Sequence, residues 1–348
     1  FHPAGSHAYV IDTSKPSAPQ GLPSEVKRRF EETAVKLPGA WRFERLHPNS
    51  MTLDTCRYSI DGEEWSEEMP IWKARREVWK AVGFEPYTGI QPWVLIQKGV
   101  KPSRSFTLRL RSTFSSKAEG KKVYFIVEKA QIWKLQVNGQ PVSTATREWH
   151  WDKQFGKIDI TDYVKVGKNV VELSCNYDMD VPVEDLYLIG EFGVEKVSET
   201  EYALTDEPDS LHDGDWVGQG YPFYAGTIRY KTRFNVKRTN GEEILIRLPG
   251  AKGSLFLVHV NGEGPIPICW QPLEADITKF VRDGENELAI DVVGSLRNTF
   301  GPLHHKLGDA LTFVGPRTFV DEKNWVEAYQ FAPYGLINGA EIMKRRSQ

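Results

Sequence analysis

Two stretches of this chain repeat one another, and that duplication limits what it can fold into more than any other feature. Residues 132–139 read IWKLQVNG and residues 255–262 read LFLVHVNG. Further on, DITDYVKVGKNVVEL (159–173) is matched by DITKFVRDGENELAI (276–290). The spacing from Asp159 to Gly167 equals that from Asp276 to Gly284, and the apolar positions after each glycine keep one register. A repeat of this length implies one structural unit used twice.

Upstream the agreement is one of pattern. Phe106, Leu108, Leu110 and Phe114 alternate with Thr107, Arg109, Arg111 and Thr113, and Ile228, Tyr230, Phe234 and Val236 alternate with Arg229, Lys231, Arg233 and Asn235. A period of two marks strands with one buried face. Each is followed by a short apolar run, VYFIV (123–127) or ILIRL (244–248). The unit is therefore strand, strand, strand with VNG, a variable link, DIT, and a closing strand. Asn-Gly at 138–139 and 261–262 supplies the positive φ angles of a tight hairpin. Asp159 and Asp276 can cap a short turn, and Gly167-Lys-Asn and Gly284-Glu-Asn turn the chain into the final strand. Two such units predict an all-β chain of two tandem β-sandwich domains with minor helical insertions. The length of 348 residues suits two domains of about 150 each plus a remainder.

Helical spacing is sparse. Val26, Phe30 and Ala34 after Ser24 predict a linker helix over 24–37, and Ile71, Ala74, Val78 and Ala81 predict a helix within 66–82, inserted in the first domain. The division that follows is 1–35 for a terminal strand of a preceding domain plus the linker helix, and 36–195 for the first sandwich. An acidic connector then fills 196–211, the second sandwich 212–335, and a C-terminal tail 336–348.

Charge and motifs exclude several classes of function. Lys and Arg total 44 against 47 Asp and Glu, a formal charge of −3, which leaves no electrostatic footprint for nucleic acid. No apolar run approaches the ~18 residues of a membrane helix, so neither nucleic acid nor membrane is an expected partner. Cys56, Cys175 and Cys269 lie far apart without CxxC spacing, which suggests neither a disulfide framework nor a zinc site. No GxSxG, HExxH or Walker pattern occurs. FHPAGSHAYVID at the start has no basic and apolar signal-peptide regions, so this segment carries no targeting signal and the compartment stays unassigned.

The two VNG–DIT units, together with QGYPFYAGTIRYKTRF (219–234), resemble the galactose-binding-like, jelly-roll sugar-binding domains of large bacterial glycoside hydrolases, most nearly the accessory sandwiches of families 2 and 106, the latter the rhamnosidases. ENELAIDVVGSLRNTFGPLHH (285–305) is similar to the C-terminal sandwich of that group. LPGAWRFERL (37–46), DGEEW (61–65) and LYLIGEFGV (186–194) look like the sandwich before it. The resemblance covers about residues 36–335. It implies an accessory region whose partners are carbohydrate and an upstream catalytic domain of the same polypeptide. The family's catalytic carboxylates sit on that upstream barrel and have no matching positions here. FHPAGSHAYVID looks like the last strand of a small β-domain that follows such a barrel.

Sugar recognition needs an aromatic ring against a pyranose face and polar groups at its hydroxyls. The chain is rich in rings, with 11 Trp, 13 Tyr and 17 Phe. Trp149, His150 and Trp151 in the first VNG–DIT link and Trp270 in the second are the leading candidates, the two indoles of WHW sharing one face of an extended segment. Their alternative use is to plug the ends of the sandwich cores. Tyr221 and Tyr224, with Phe223, form a second aromatic group, suited to line a pocket or to glue the two sandwiches. Asp178, Asp180, Glu184 and Asp185 in YDMDVPVED have the composition of a structural Ca2+ site or of solvated turn charge; no other cofactor is expected. Glu184–Asp185, Glu191 and the acids of 206–215 are the carboxylates from which a glycosidase pair can be drawn. His304 and His305, adjacent on an extended segment, point to opposite faces and read as parts of a structural turn. Three functions remain: a non-catalytic carbohydrate-binding and structural accessory region, a scaffold without ligand, and a glycosidase with an acid pair at the domain interface.

Overall fold

The computed structural model describes residues 30–84, 94, 97–99, 101, 103–311 and 313–347. The expected strand at 1–12 and residues 24–29 of the expected linker helix lie outside them.

Strands β1 (Phe30–Lys36) and β2 (Ala40–Arg45) come first. The next stretch supplies β3 (Asn49–Leu53), β4 (Thr55–Ile60), helix α1 (Ile71–Ala81), β5 (Thr107–Ser116), β6 (Val123–Glu128), β7 (Lys134–Val137) and β8 (Gln140–Val142). It continues through β9 (Asp152–Asp159), β10 (Gly167–Asn176), β11 (Leu186–Gly190), β12 (Gly193–Lys196) and β13 (Tyr202–Thr205). The remainder forms β14 (Thr227–Val236), β15 (Glu242–Arg247), β16 (Leu255–Val260), β17 (Glu263–Ile268), β18 (Glu274–Asp276), β19 (Gly284–Val293), helix α2 (Arg297–Phe300) and β20 (Glu341–Ser347).

These strands build an all-β architecture of two sandwiches. In the first, a sheet ordered β12-β13-β5-β10-β7-β8, with β4 also on β5, packs against β9-β6-β11-β3. Leu108, Leu110, Phe125, Val171, Leu173 and Leu188 fill its core, and the predicted helix over Ile71–Ala81 adds Ile71, Ala74 and Val78. In the second, β2-β14-β19-β16-β17 packs against β1-β20-β15-β18 around Trp41, Tyr230, Ile246, Val258 and Ile290. Strand for strand the halves correspond: β5, β6, β7 and β10 of one are β14, β15, β16 and β19 of the other.

The correspondence reaches beyond the readable repeat and revises the predicted boundaries. Strands β1 and β2 belong to the second sandwich, so the first is inserted into it between β2 and β14. Residues 30–36, expected to be helical, are strand because all of β1 pairs antiparallel with β20, placing Glu31 opposite Arg346 and Glu32 opposite Arg345. A local helical spacing loses to a full ladder with complementary charges. The expected tail supplies β20, which lies between β1 and β15 and does for the second sandwich what β11 does for the first. The acidic connector is shorter than 196–211, since β12 and β13 extend the first sandwich to Thr205 and Leu211 already pairs with Trp41.

The repeated letters have one physical purpose. Asn138 and Asn261 sit at φ +52° and +54°, as the Asn-Gly hairpins require. The Asn138 side chain donates to the Tyr163 carbonyl (2.9 Å) and to Oδ1 of Asn169 (2.8 Å), and accepts from the Val170 amide (3.0 Å). Asn261 does the same with the Phe280 carbonyl, Asn286 and the Glu287 amide. Asn169 and Asn286, fully buried, each bridge the turn before the closing strand with three further backbone bonds. In DIT, Asp159 and Asp276 accept from the amide two residues on, Ile160 and Ile277 are buried in the two cores, and Thr161 and Thr278 accept from the amides of Val123 and Ile244. Replacing Asn286 by Ala removes three bonds to the backbone and the one from Asn261 at once. We expect a loss of about 2–4 kcal/mol, read as a lower urea midpoint at unchanged slope, and a similar loss for Asn169→Ala.

Candidate functional site

The sandwiches meet along β3, whose outward polar residues are buried by the second half of the chain. Ser50 Oγ donates to the Phe223 carbonyl (2.6 Å), as does Thr299 Oγ1 (2.6 Å), and Thr52 Oγ1 donates to the Thr299 carbonyl (3.0 Å). Asn49 Nδ2 donates to the carbonyls of Phe192 (2.8 Å) and Gly220 (3.0 Å). After α2 the chain leaves the second sandwich and crosses the first. Leu303, Tyr329 and Phe331 pack on the first core, whereas Ala332, Tyr334 and Leu336 return to the second.

Under this crossing segment lies a cavity of about 510 Å³, within the usual range for small-ligand sites. The first sandwich contributes Asp54, Glu184 and Asp185 together with Trp72 and Arg75 of α1, and the crossing segment contributes His304, Phe319 and Trp325. Trp72 meets Trp325 edge to face at 5.6 Å, and Trp325 stacks on His304 at 4.5 Å. The indole Nε1 of Trp72 is buried and has no acceptor among the described residues, a desolvation cost that the burial of the ring offsets.

Asp54 organises the polar wall. Its Oδ1 accepts from the Tyr329 hydroxyl (2.9 Å), and its Oδ2 from His304 Nε2 (2.9 Å), whose Nδ1 donates to the Val326 carbonyl (3.0 Å). Both ring nitrogens face acceptors, the pattern of an imidazolium. Burial works against that charge, but the hydrogen bonds to Asp54 and Val326 and the Asp54 charge outweigh it and raise the His304 pKa. Asp185 behaves oppositely to an exposed acid. Burial first, then the neighbouring charges of Asp54 and Glu184, push its pKa up to about 8, against a smaller pull from Arg75 and His304. The cavity thus holds a carboxyl that keeps its proton to higher pH than an exposed acid, beside an Asp54–His304 pair and the Glu184–Arg75 ion pair.

The residues singled out from sequence are dispersed. Trp149 is half exposed and Trp270 is 69% exposed, and neither lines the cavity. Trp151 has φ +62°, so WHW is not an extended segment and its indoles do not share a face. Instead Trp151 packs on Tyr187 (5.5 Å) and on Phe300 of α2 (4.9 Å), joining the halves. His150 stands edge-on to it at 4.5 Å; burial pushes the His150 pKa down to about 4, with Lys157 and His47 adding to the effect. Tyr221 and Tyr224 are fully buried, with hydroxyls on Glu207 and on the Thr227 carbonyl, so neither presents a face to a ligand. The proposed cation ligands also separate: Asp180 pairs with Lys129 (2.6 Å), Glu184 with Arg75, and Asp178 accepts from the Met179 amide. Among the described residues no group of three or more His, Cys, Asp or Glu side chains could hold a metal ion. Of the acids considered as a catalytic pair, Glu184 and Asp185 do line the cavity. Asp54, Trp72 and Trp325 were missed, because nothing local in the sequence joins positions so far apart.

No family model matches the sequence, and no curated protein matches it. Among solved structures, the chain is similar to a rhamnosidase from Novosphingobium sp. PP1Y, at 16% identity and TM-score 0.27 over 69% of this chain and 22% of that one. A β-D-mannosidase from Dictyoglomus thermophilum matches at 10% identity and TM-score 0.26 over 76% of this chain and 31% of that one. An α-L-rhamnosidase from Streptomyces avermitilis, complexed with L-rhamnose, matches at 12% and 0.26 over 91% and 39%. The chain spans between about a fifth and two fifths of these enzymes' lengths.

The raised pKa values make a sign-definite prediction. A group that binds its proton more tightly when folded stabilises the fold at low pH and loses that contribution as pH rises through its folded pKa. For Asp185 the loss runs from about pH 4 to about pH 8, and His304 adds a decline above its ordinary range. The urea midpoint should fall between pH 5 and pH 9, and Asp185→Asn should flatten that slope and be the more stable form at pH 9.

Proposed function

We propose that this chain is the non-catalytic, carbohydrate-binding and bracing region of a glycoside hydrolase, and that its sugar site is the cavity between the first sandwich and the crossing segment. The observation that supports this reading is the make-up of the cavity wall. Indole rings suited to a pyranose face stand beside a carboxyl that holds its proton more tightly than an exposed acid, a second carboxyl and an arginine, all suited to hydroxyls. The volume admits a mono- or disaccharide unit. Millimolar binding requires only about 4 kcal/mol. The buried polar seam along β3 supports the bracing role, since it holds the two sandwiches at one angle. The resemblance of the VNG–DIT units to accessory sandwiches supplies the context.

Trp72→Phe is the discriminating variant. It keeps a ring against Trp325 but gives up the pyrrole half of the indole, so stability should fall by only about 1 kcal/mol. Affinity for the bound sugar in calorimetric titration should drop about fivefold to tenfold as stacking area is lost. If no mono- or oligosaccharide binds to the parent protein, the ligand-free scaffold replaces this reading.

A second reading rests on one feature, the raised pKa of Asp185 beside other carboxyls in the same cavity. An acid that keeps its proton next to a second carboxyl is the pairing that glycosidases use. Turnover of aryl glycosides by this chain, abolished in Asp185→Asn, would establish it; no turnover leaves the binding reading alone.

A further inference from the structure

The duplication places charge as well as strands. Ser116 pairs with Gly167 and Val236 with Gly284, so Arg111 on β5 corresponds to Lys231 on β14. Directly opposite Arg111 on the neighbouring strand is Arg57 of β4, and directly opposite Lys231 is Arg42 of β2. TCRY (55–58) and AWRF (40–43) are therefore equivalent segments, with Cys56 and Trp41 fully buried in their respective cores and the arginines on the outer face. Cations directly opposite one another across a ladder repel and cost stability, and this sheet pair carries that cost twice at the same place. Each site floors an open groove, of about 540 Å³ in the first sandwich and about 840 Å³ in the second. Glu172 neutralises Arg111 (2.8 Å) and Glu44 neutralises Lys231 (2.5 Å). Arg57 and Arg42 have no acidic partner among the described residues. Trp65 lies on the guanidinium groups of Arg111 (4.0 Å) and Arg109 (4.7 Å), pinning the cations of the first groove.

We propose that the two grooves are a duplicated binding site for an acidic polysaccharide, with Arg57 and Arg42 each taking an anionic group of the sugar chain. A guanidinium fork matches a carboxylate bidentately. The carboxylates on the same faces, Glu68 and Glu172 in the first groove and Glu287 in the second, suit a polymer with hydroxyls between sparse charges and oppose one as densely charged as a nucleic acid. This site is separate from the cavity under the crossing segment and stands whether or not that cavity binds sugar.

Affinity electrophoresis of the whole chain through gels containing polygalacturonate, neutral dextran or duplex DNA tests the assignment. We expect retardation by polygalacturonate alone. Arg57→Gln and Arg42→Gln should each weaken it about tenfold, a step of ~1.4 kcal/mol, and the double variant further, because it removes the anion-binding group of both grooves. Melting temperatures should stay level or rise, since each variant removes a like-charge opposition; a merely structural arginine would lower them. Trp72→Phe should leave retardation unchanged. Equal retardation by DNA, no retardation by polygalacturonate, or retardation that survives in the double variant would overturn the proposal.

Discussion

Each sandwich closes around a pair of asparagines, half-buried Asn138 with buried Asn169 and half-buried Asn261 with buried Asn286. One asparagine forms a hairpin at positive φ; the other spans the turn before the closing strand; the amide groups satisfy each other and the backbone on both sides. Sheet sandwiches have cores of side chains but ends of exposed backbone, and an unpaired backbone group there is costly once covered. The asparagine pair lets the end of each sandwich be covered. The Asp–Ile–Thr segment does the companion task at the edge of β6 or β15, inserting an isoleucine into the core while its threonine meets the strand amide. Strand register, and hence which side chains face outward, follows from these two devices.

Nesting one sandwich inside the other ties the two together. Because β1 and β2 precede the first sandwich while β14 to β20 follow it, the second sandwich closes only across the whole length of the first. The seam between them is polar and buried, built from Asn49, Ser50, Thr52 and Thr299, and the chain after α2 crosses it and comes back. Asp54 anchors the crossing by holding His304 and Tyr329. The same carboxylate, with burial, keeps the Asp185 proton in place. Structural closure and the chemistry of the cavity therefore share one residue.

How much of this was legible depends on whether the reason for a residue is local. The hairpins, the strands around VNG and the helix over Ile71–Ala81 could be read because turn geometry and side-chain period act over a few positions. The match of TCRY to AWRF was also legible in principle, though four residues with one arginine in common stand out only after β4 and β2 are seen in the same place. The linker helix was misread because the apolar spacing of 24–37 is helical while Val35 stays exposed; the strand exists for its partner, β20, some three hundred residues away. WHW was misread because one positive φ at Trp151 reverses the side an indole faces, and the cation site was misread because Lys129 and Arg75 reach its carboxylates from other elements.

By itself, then, the sequence determined that this protein is all-β, that one sandwich plan is used twice, and which asparagines, aspartates and threonines close each copy, since those are short-range demands of turns and strand edges. Only the tertiary structure decided that one sandwich sits inside the other, that the conspicuous aromatic rings are mostly packing, and that Asp54, Trp72, Asp185 and His304 surround one cavity. Those outcomes depend on pairings between strands and loops far apart along the chain, and burial, charge proximity and the state of a proton exist only once such pairings have formed.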